Sequence, residues 1–363
     1  MKKTILIFGV LCAMIFSFTA VSFAGQGISY RNVKAIGMGD ARIAGGMGYN
    51  GFIDNPALLS RIHGIRFSIM NLPLYGNNDL LDMAQFINDN KESFQNFDTL
   101  TAQQKDQFIK DLEPYDSKWG RLNVAPMVDI GVNALGMGIG LAVFSTEDVA
   151  FKVDRGIYEP RVWGQGEANT AVVLGFSKPL TMLYPGLKVG VNLKYMQRRT
   201  ASLFQIKATD LGNIDEIMQP IIDDAKENKT THFAVDLGTL WEVPLISSEV
   251  GATLHDIGYG RNNSLDLGIA KRFYNDRVVL LADYIDFFNL NGENMFKKIH
   301  VGGELDLSII SLRVGLNSGY PTAGVGINLK VFQIDAAYFS DELSDIPGTN
   351  EDKRGAVQLR LGW

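Results

Sequence analysis

Leu187-Lys188-Val189-Gly190-Val191-Asn192-Leu193-Lys194-Tyr195 places an apolar side chain at every odd position and a small, polar or charged one at every even position. Side chains alternate across a β-strand, so this stretch has one apolar face and one polar face. The same period of two returns along the chain. Val128, Ile130 and Val132 alternate with Asp129, Gly131 and Asn133, and Phe233, Val235 and Leu237 with Ala234, Asp236 and Gly238. Further on, Ile299, Val301 and Leu305 flank His300, Gly302 and Glu304; Leu312, Val314 and Leu316 flank Arg313 and Gly315. Val325, Ile327 and Leu329 follow, and Val357, Leu359 and Leu361 close the chain against Gln358, Arg360 and Gly362 before Trp363.

Two architectures use this pattern. A β-sandwich buries its apolar faces against each other, whereas a membrane barrel turns them to lipid and keeps the polar faces in a wet lumen. Segments of about nine to eleven residues fit a tilted strand that crosses hydrocarbon, against about five or six for soluble strands. A closed barrel also removes the unpaired edges that such strands would expose. Trp241, Tyr274, Phe287, Tyr338 and Trp363 stand at strand ends, as an interfacial aromatic girdle would. The expectation is an all-β fold, a transmembrane antiparallel barrel of about 14 strands, with a secreted sandwich as the competing reading.

Composition agrees with that choice. The 363 residues are 46% apolar and 20% charged, with 38 glycines and a net charge of −6. An acidic balance argues against a nucleic-acid partner. The mean hydropathy of +0.03 averages two faces, so the lack of a second long apolar run argues only against a helical span. Lys2 and Lys3, an uncharged run from Thr4 to Phe23 and the ending Ser22-Phe23-Ala24 read as a signal peptide over residues 1–24, cut after Ala24. The sole cysteine, Cys12, lies inside that run, so the exported chain would hold no disulfide and no thiolate metal site.

Two stretches break the alternation. Near 79–113 the pattern is helical, with Leu80, Met83 and Ile87 on one face and a capping box, Thr101 to Gln104, opening a helix that carries Phe108, Ile109 and Leu112. Near 213–227, Asn213 and Glu216 open another helix, which Pro220 should kink. Both are too polar to span lipid and read as loop insertions over a barrel end or inside it.

Residues 25–61 are rich in glycine and neither helical nor alternating. Gly46, Gly48 and Gly51 satisfy a dinucleotide fingerprint literally, but no strand-turn-helix context accompanies them. Arg31, then Gly37-Met38-Gly39-Asp40-Ala41, and later Asn55-Pro56-Ala57-Leu58-Leu59 resemble the N-terminus of the FadL-like outer-membrane proteins. That superfamily holds long-chain fatty acid and hydrocarbon transporters together with PorV-type and TraF-like branches. The resemblance implies a hatch, residues 25–61, folded inside a barrel of residues 62–363, with Gly37, Gly39, Asp40, Asn55, Pro56 and Ala57 as its motif. It further implies that Trp363 is the closing aromatic read by the outer-membrane assembly machinery.

Chemistry of other kinds has little support. His63, His232, His255 and His300 form no metal motif, and neither a nucleophile elbow nor a phosphate loop occurs. No cofactor, no metal site and no enzyme activity are expected. His255-Asp256 suits a lumen or turn better than catalysis, and the acidic pairs Asp341-Glu342 and Glu351-Asp352 read as solvated loops. By parity Asp129, Lys194, Asp236, Glu304, Arg313 and Arg360 point inward, with Lys330 also assigned to the lumen; their mixed signs suit ion pairs that brace it. Two functions follow from the resemblance. One is passive passage of a small hydrophobic ligand through the outer membrane past an N-terminal plug, with membrane lipid around the barrel. The other is a PorV- or TraF-like interaction protein serving a secretion or surface-attachment assembly.

Overall fold

A computed structural model describes residues 30–363, except 46–48, 117, 157–158, 181–183, 208–218, 221–222, 224–226, 228, 245–246 and 259–262. The expected signal peptide and most of the helix expected near 213–227 lie outside the described residues. No described helix is long and apolar enough to cross a membrane, which says nothing about strands.

The alternating segments form one antiparallel sheet of fifteen segments in sequence order: β1 (Ile65–Asn77), β2 (Gly120–Val124), β3 (Met127–Ala134), β4 (Met137–Asp154), β5 (Arg161–Pro179), β6 (Leu187–Lys207), β7 (Lys229–Val243), β8 (Ser248–Ile257), β9 (Ser264–Phe273), β10 (Val278–Tyr284), β11 (Ile299–Asp306), β12 (Ile310–Asn317), β13 (Tyr320–Leu329), β14 (Phe332–Glu342) and β15 (Glu351–Gly362). β15 pairs with β1 through Leu72↔Leu359 and Leu74↔Val357, so the sheet closes on itself. β2 and β3 are one wall strand. Val124 pairs with Glu147 and Met127 with Phe144, an unbroken register across Ala125 and Pro126. Pro126 has no N–H to give the ladder, which interrupts the strand without ending it. The wall is therefore a closed antiparallel barrel of 14 strands.

Parity sets the two faces. Leu312, Val314 and Leu316 are exposed outward, whereas Arg313, between them, is buried in the lumen. Tight turns gather at one end of the barrel. Leu135 and Gly136 both take positive φ (54° and 73°), the twist a two-residue hairpin loop needs. Lys330 sits in another such turn with φ 68° and is exposed, so it does not line the lumen as parity suggested. Trp241, Tyr274 and Trp363 collect at this same end, Trp363 against Phe67 with ring centroids 5.0 Å apart.

The wall is uneven. β4, β5 and β6 run 18, 19 and 21 residues, well beyond the length expected from the alternation alone, whereas β10 runs only 7. The excess height of β4 is covered from outside by the β1–β2 insertion. There α1 of the insertion (Asn78–Asp89) is capped by Asn77, and α3 (Ala102–Leu112) by a complete capping box between Thr101 and Gln104; a short helix, α2 (Lys91–Gln95), lies between them. Met83, Phe86, Phe94, Phe97, Phe108 and Leu112 form a small core with Phe151 and Val153, which share the outward parity of β4. The insertion thus props the outside of the tall wall rather than capping the lumen.

Candidate functional site

The described residues of 30–62 fill the lumen, and the contact is made by glycines on both sides. Asn32 caps a single helical turn, Val33–Ile36, by accepting from the Lys34 amide at 2.9 Å. Gly39 follows at φ 69°, and its Cα passes so close to the carbonyls of Val301 and Leu316 that any side chain would overlap them. In return, Gly302 and Gly315 of the wall leave room for the Met38–Gly39 backbone. The same fit recurs lower down, where Gly190 and Gly238 make a slot that receives Asn55-Pro56.

Asn55 is fully buried and uses its whole amide. Its Oδ1 accepts from Ala57 N at 3.0 Å, starting the 3₁₀ turn Pro56–Arg61, while its Nδ2 donates to the carbonyls of Ile43 and Thr239, each at 3.0 Å. Pro56 fits the first turn because the missing N–H is not needed there. One side chain thus ties this turn to the earlier turn at Ile43 and to β7.

Around one side of the lumen the fit is ionic. Arg31 meets Asp341 at 3.0 Å and Asp40 at 3.3 Å; Arg42 meets Asp54 at 3.3 Å. Lys34 reaches Glu304 at 2.7 Å, and Glu304 shares Arg313 with Asp335, both contacts at 2.6 Å. Asp283 accepts from the Arg42 and Ile43 amides at 2.5 and 2.8 Å. Further round, Lys194 sits between Asp236 and Asp256 at 2.7 and 2.9 Å, and His255 lies beside Asp236 and Asp266. Near the turn end, Arg61 and Arg272 both hold Glu249 and both donate to the Gly45 carbonyl. Burial pushes the Asp54 carboxyl up, against the pull of Arg42; the carboxylates of Asp341 and Asp40 hold the Arg31 guanidinium firmly charged.

Apolar side chains make the rest of the contact: Met38, Ala41 and Leu58 cluster with Leu240, Ala270 and Leu281, Val33 and Ile36 with Phe339 and Ala356, and the densest patch spans β3 to β7. Met127, Ala142, Phe144, Ala171, Val173, Met196 and Ala234 face inward from β3 to β7 and meet Tyr30, Phe52, Ile53, Leu59 and Ile62. The Tyr30 ring packs edge-on against Phe144 with centroids 5.5 Å apart, and its buried hydroxyl finds no hydrogen-bond partner among the described residues. Within this patch Asn192 of β6 donates to the Phe52 carbonyl at 2.8 Å.

Of the residues singled out from sequence, Gly37, Gly39, Asp40, Asn55, Pro56 and Ala57 all lie in this contact, Gly37 against the backbone of Gly324. Asp129, Lys194, Asp236, Glu304 and Arg313 are buried in the lumen, and Arg360 donates to Gln333 at 2.8 Å. The acidic pairs are engaged internally: Asp341 by Arg31 and Arg354, Glu342 by the Tyr320 hydroxyl at 2.7 Å, and Asp352 by Arg354. Among the described residues no group of three or more His, Cys, Asp or Glu is placed to hold a metal ion. Alternation alone did not reveal the apolar arc. Its signal lay in Leu141-Ala142-Val143-Phe144 and Ala171-Val172-Val173-Leu174, where both faces of the strand are apolar.

A protein-family model described as "F plasmid transfer operon, TraF, protein" matches residues 55–259, more than half of the chain. The chain belongs to this TraF family. No curated protein matches it. Among solved structures, the Pseudomonas putida toluene transporter TodX is 11% identical, with a TM-score of 0.55 over 94% of this chain and 99% of its own. The Ralstonia pickettii toluene transporter TbuX is 13% identical, with a TM-score of 0.52 over 94% and 98%. At such identities the likeness is one of fold. The barrel fold shared with these transporters agrees with the FadL-like resemblance carried by residues 31–59.

Proposed function

We propose that this TraF-family barrel is an outer-membrane channel for the passive passage of small hydrophobic or amphipathic molecules, with residues 30–62 as its hatch. The observation that carries the reading is the division of the lumen. Directed bonds anchor the segment mainly from β7 to β15, through Thr239, Glu249, Asp283, Glu304 and Asp341. An apolar arc from β3 to β7 is filled by the side chains of Tyr30, Phe52 and Leu59, which pack by hydrophobic burial and which a hydrophobic ligand can replace. Small side chains (Ala142, Ala171, Ala234) and the adaptable Met127 and Met196 suit a ligand of loose shape requirements. Directed anchoring on one side and apolar packing on the other allow partial displacement without loss of the segment. Nothing in this scheme consumes energy, so flux follows the gradient. The toluene transporters of similar fold favour an apolar small molecule as cargo.

The test is reconstitution. Deleting residues 25–57 should convert a barrel of low conductance in planar bilayers into an open pore. A deletion variant that keeps heat-modifiable gel mobility yet conducts no better than the full chain refutes the hatch. A second reading, an interaction protein of an envelope assembly, draws on the aromatic core of the β1–β2 insertion, which packs on Phe151 and Val153 and props β4 from outside. A stoichiometric protein partner lost on removing residues 79–113 supports that reading; co-purified hydrocarbon or lipid in the lumen supports the channel.

A further inference from the structure

The connection from Ile285 to Lys298, between β10 and β11, exposes Phe287, Phe288, Leu290, Met295 and Phe296, each between 49% and 63% accessible. Such a set on a connecting loop is unusual for a face that meets water. The loop is nonetheless firmly built. Lys298 is buried beneath it, donating to the Asp286 carbonyl at 3.1 Å, to the Asp286 carboxylate at 3.2 Å and to Asn289. That carboxylate also accepts from the Leu290 and Asn291 amides at 2.9 and 3.0 Å, and the Asp286 amide donates to Asp266 at 2.8 Å. The Phe287 amide donates to the Leu265 carbonyl at 2.7 Å, extending the ladder of β9 upward by one step.

The direction in which the loop faces is fixed by its lowest rings. Phe287 packs edge-on against Tyr284 at 6.1 Å and against Phe288 at 5.4 Å. Tyr284 shares the outward face with Leu280 and pairs with Ile299, next to outward Val301. Phe287 and Phe288 therefore continue the outward column of β10 and β11, and Leu290, Met295 and Phe296 are exposed on the same loop.

Height explains why a continuation is needed. β10 and β11 have 7 and 8 residues. At about 3.3 Å per residue and a tilt of about 40°, they rise roughly 18–20 Å, short of the ~25 Å apolar band of an outer-membrane barrel. Tyr274 and its girdle partners mark the lower boundary at the turns, so the shortfall falls on the loop end.

We propose that residues 285–298 are a membrane-embedded rim, whose Phe287, Phe288, Leu290, Met295 and Phe296 lie among the acyl chains of the surrounding leaflet and complete the lipid-facing band over β10 and β11. The inference rests on the outer-membrane reading and adds to it which segment outside the strands touches lipid. The buried Lys298–Asp286 pair holds the loop in shape so that the aromatic side chains meet lipid as a surface.

Nitroxide labels test it. Phe288→Cys and Phe296→Cys are made in the full chain with the sole cysteine removed by Cys12→Ser, alongside Val301→Cys on the band and Asp276→Cys in a tight turn. In phosphatidylcholine vesicles, oxygen should relax the labels at 288 and 296 several-fold more than a water-soluble nickel chelate does, as at 301 and unlike at 276. Labels at 288 and 296 that respond to nickel while 301 responds to oxygen overturn the rim and leave the barrel in the membrane. Nickel access at 301 as well overturns the membrane reading itself. Phe288→Trp with brominated lipids supplies a second measurement should a labelled variant fold poorly: added quenching relative to the parent supports the rim, and its absence counts against it.

Discussion

Replacing Asn55 with alanine should release the N-terminal segment while leaving the barrel intact. The side chain makes three hydrogen bonds of 3.0 Å from a site with no exposure, to Ala57 N and to the carbonyls of Ile43 and Thr239. A buried neutral hydrogen bond is worth about 1 kcal/mol net, and more where its partner is left dry. Losing all three weakens docking by roughly 3 kcal/mol, which raises the undocked population about a hundredfold. No bond of the barrel ladder is touched, so heat-modifiable mobility and strand content should not change. Hydrogen exchange of the amides from 33 to 59 reads the docking directly, and open events in planar bilayers read its consequence. Asn55→Asp separates the parts of the effect. It keeps the acceptor for Ala57 N but turns the two donations into repulsion from carbonyl oxygens, so it should open the segment at least as far as alanine does. Unchanged protection of residues 33–59 in Asn55→Ala would refute the idea that this side chain holds the hatch.

Three further outcomes follow from the same contact. Tyr30→Phe removes a buried hydroxyl that lacks a partner among the described residues, so it should tighten closure by about 1–2 kcal/mol and slow the uptake of toluene into vesicles. Faster uptake would count against the apolar arc as the route. Gly190→Val places a branched side chain where the Pro56 backbone passes, and should raise conductance without lowering yield of folded barrel; a closed pore would mean that the Asn55-Pro56 slot is not structural. Burial raises the Asp54 carboxyl despite Arg42, with Asp40, His255 and Lys194 also in its field. A raised carboxyl favours the docked state below its ordinary range, and that contribution is lost as pH rises through the folded value. Protease resistance of the segment should therefore fall as pH rises above the ordinary carboxylate range, and Asp54→Asn should flatten the fall.

The outward-facing columns were legible residue by residue. Leu312, Val314 and Leu316 against Arg313 needed nothing beyond the period of a strand, since neighbouring side chains must take opposite faces. Capping chemistry was local in the same way, and Thr101 with Gln104 closes its box where the spacing placed it. Lys330 was not local: parity carried it inward, but the chain had already turned, and a positive φ set its direction instead. The extra height of β4 to β6 escaped notice because above the lipid band the outward positions need not stay apolar. Phe151 and Val153 are covered by an insertion whose position no alternation encodes.

The sequence by itself determined which residues face outward and which face the lumen, because strand geometry makes that a matter of counting. It also marked Gly37-Met38-Gly39-Asp40 and Asn55-Pro56-Ala57 as chain built for confinement. Tertiary structure decided what confines them. Gly302 and Gly315, or Gly190 and Gly238, lie far from those motifs along the chain and become their complement only when the barrel closes. It also decided that the lumen has an ionic arc and an apolar one. Each inward side chain reads simply as polar or apolar along its own strand. Only the order of strands around the ring gathers Met127, Phe144, Val173 and Met196 on one side and Glu304, Arg313 and Asp335 on the other.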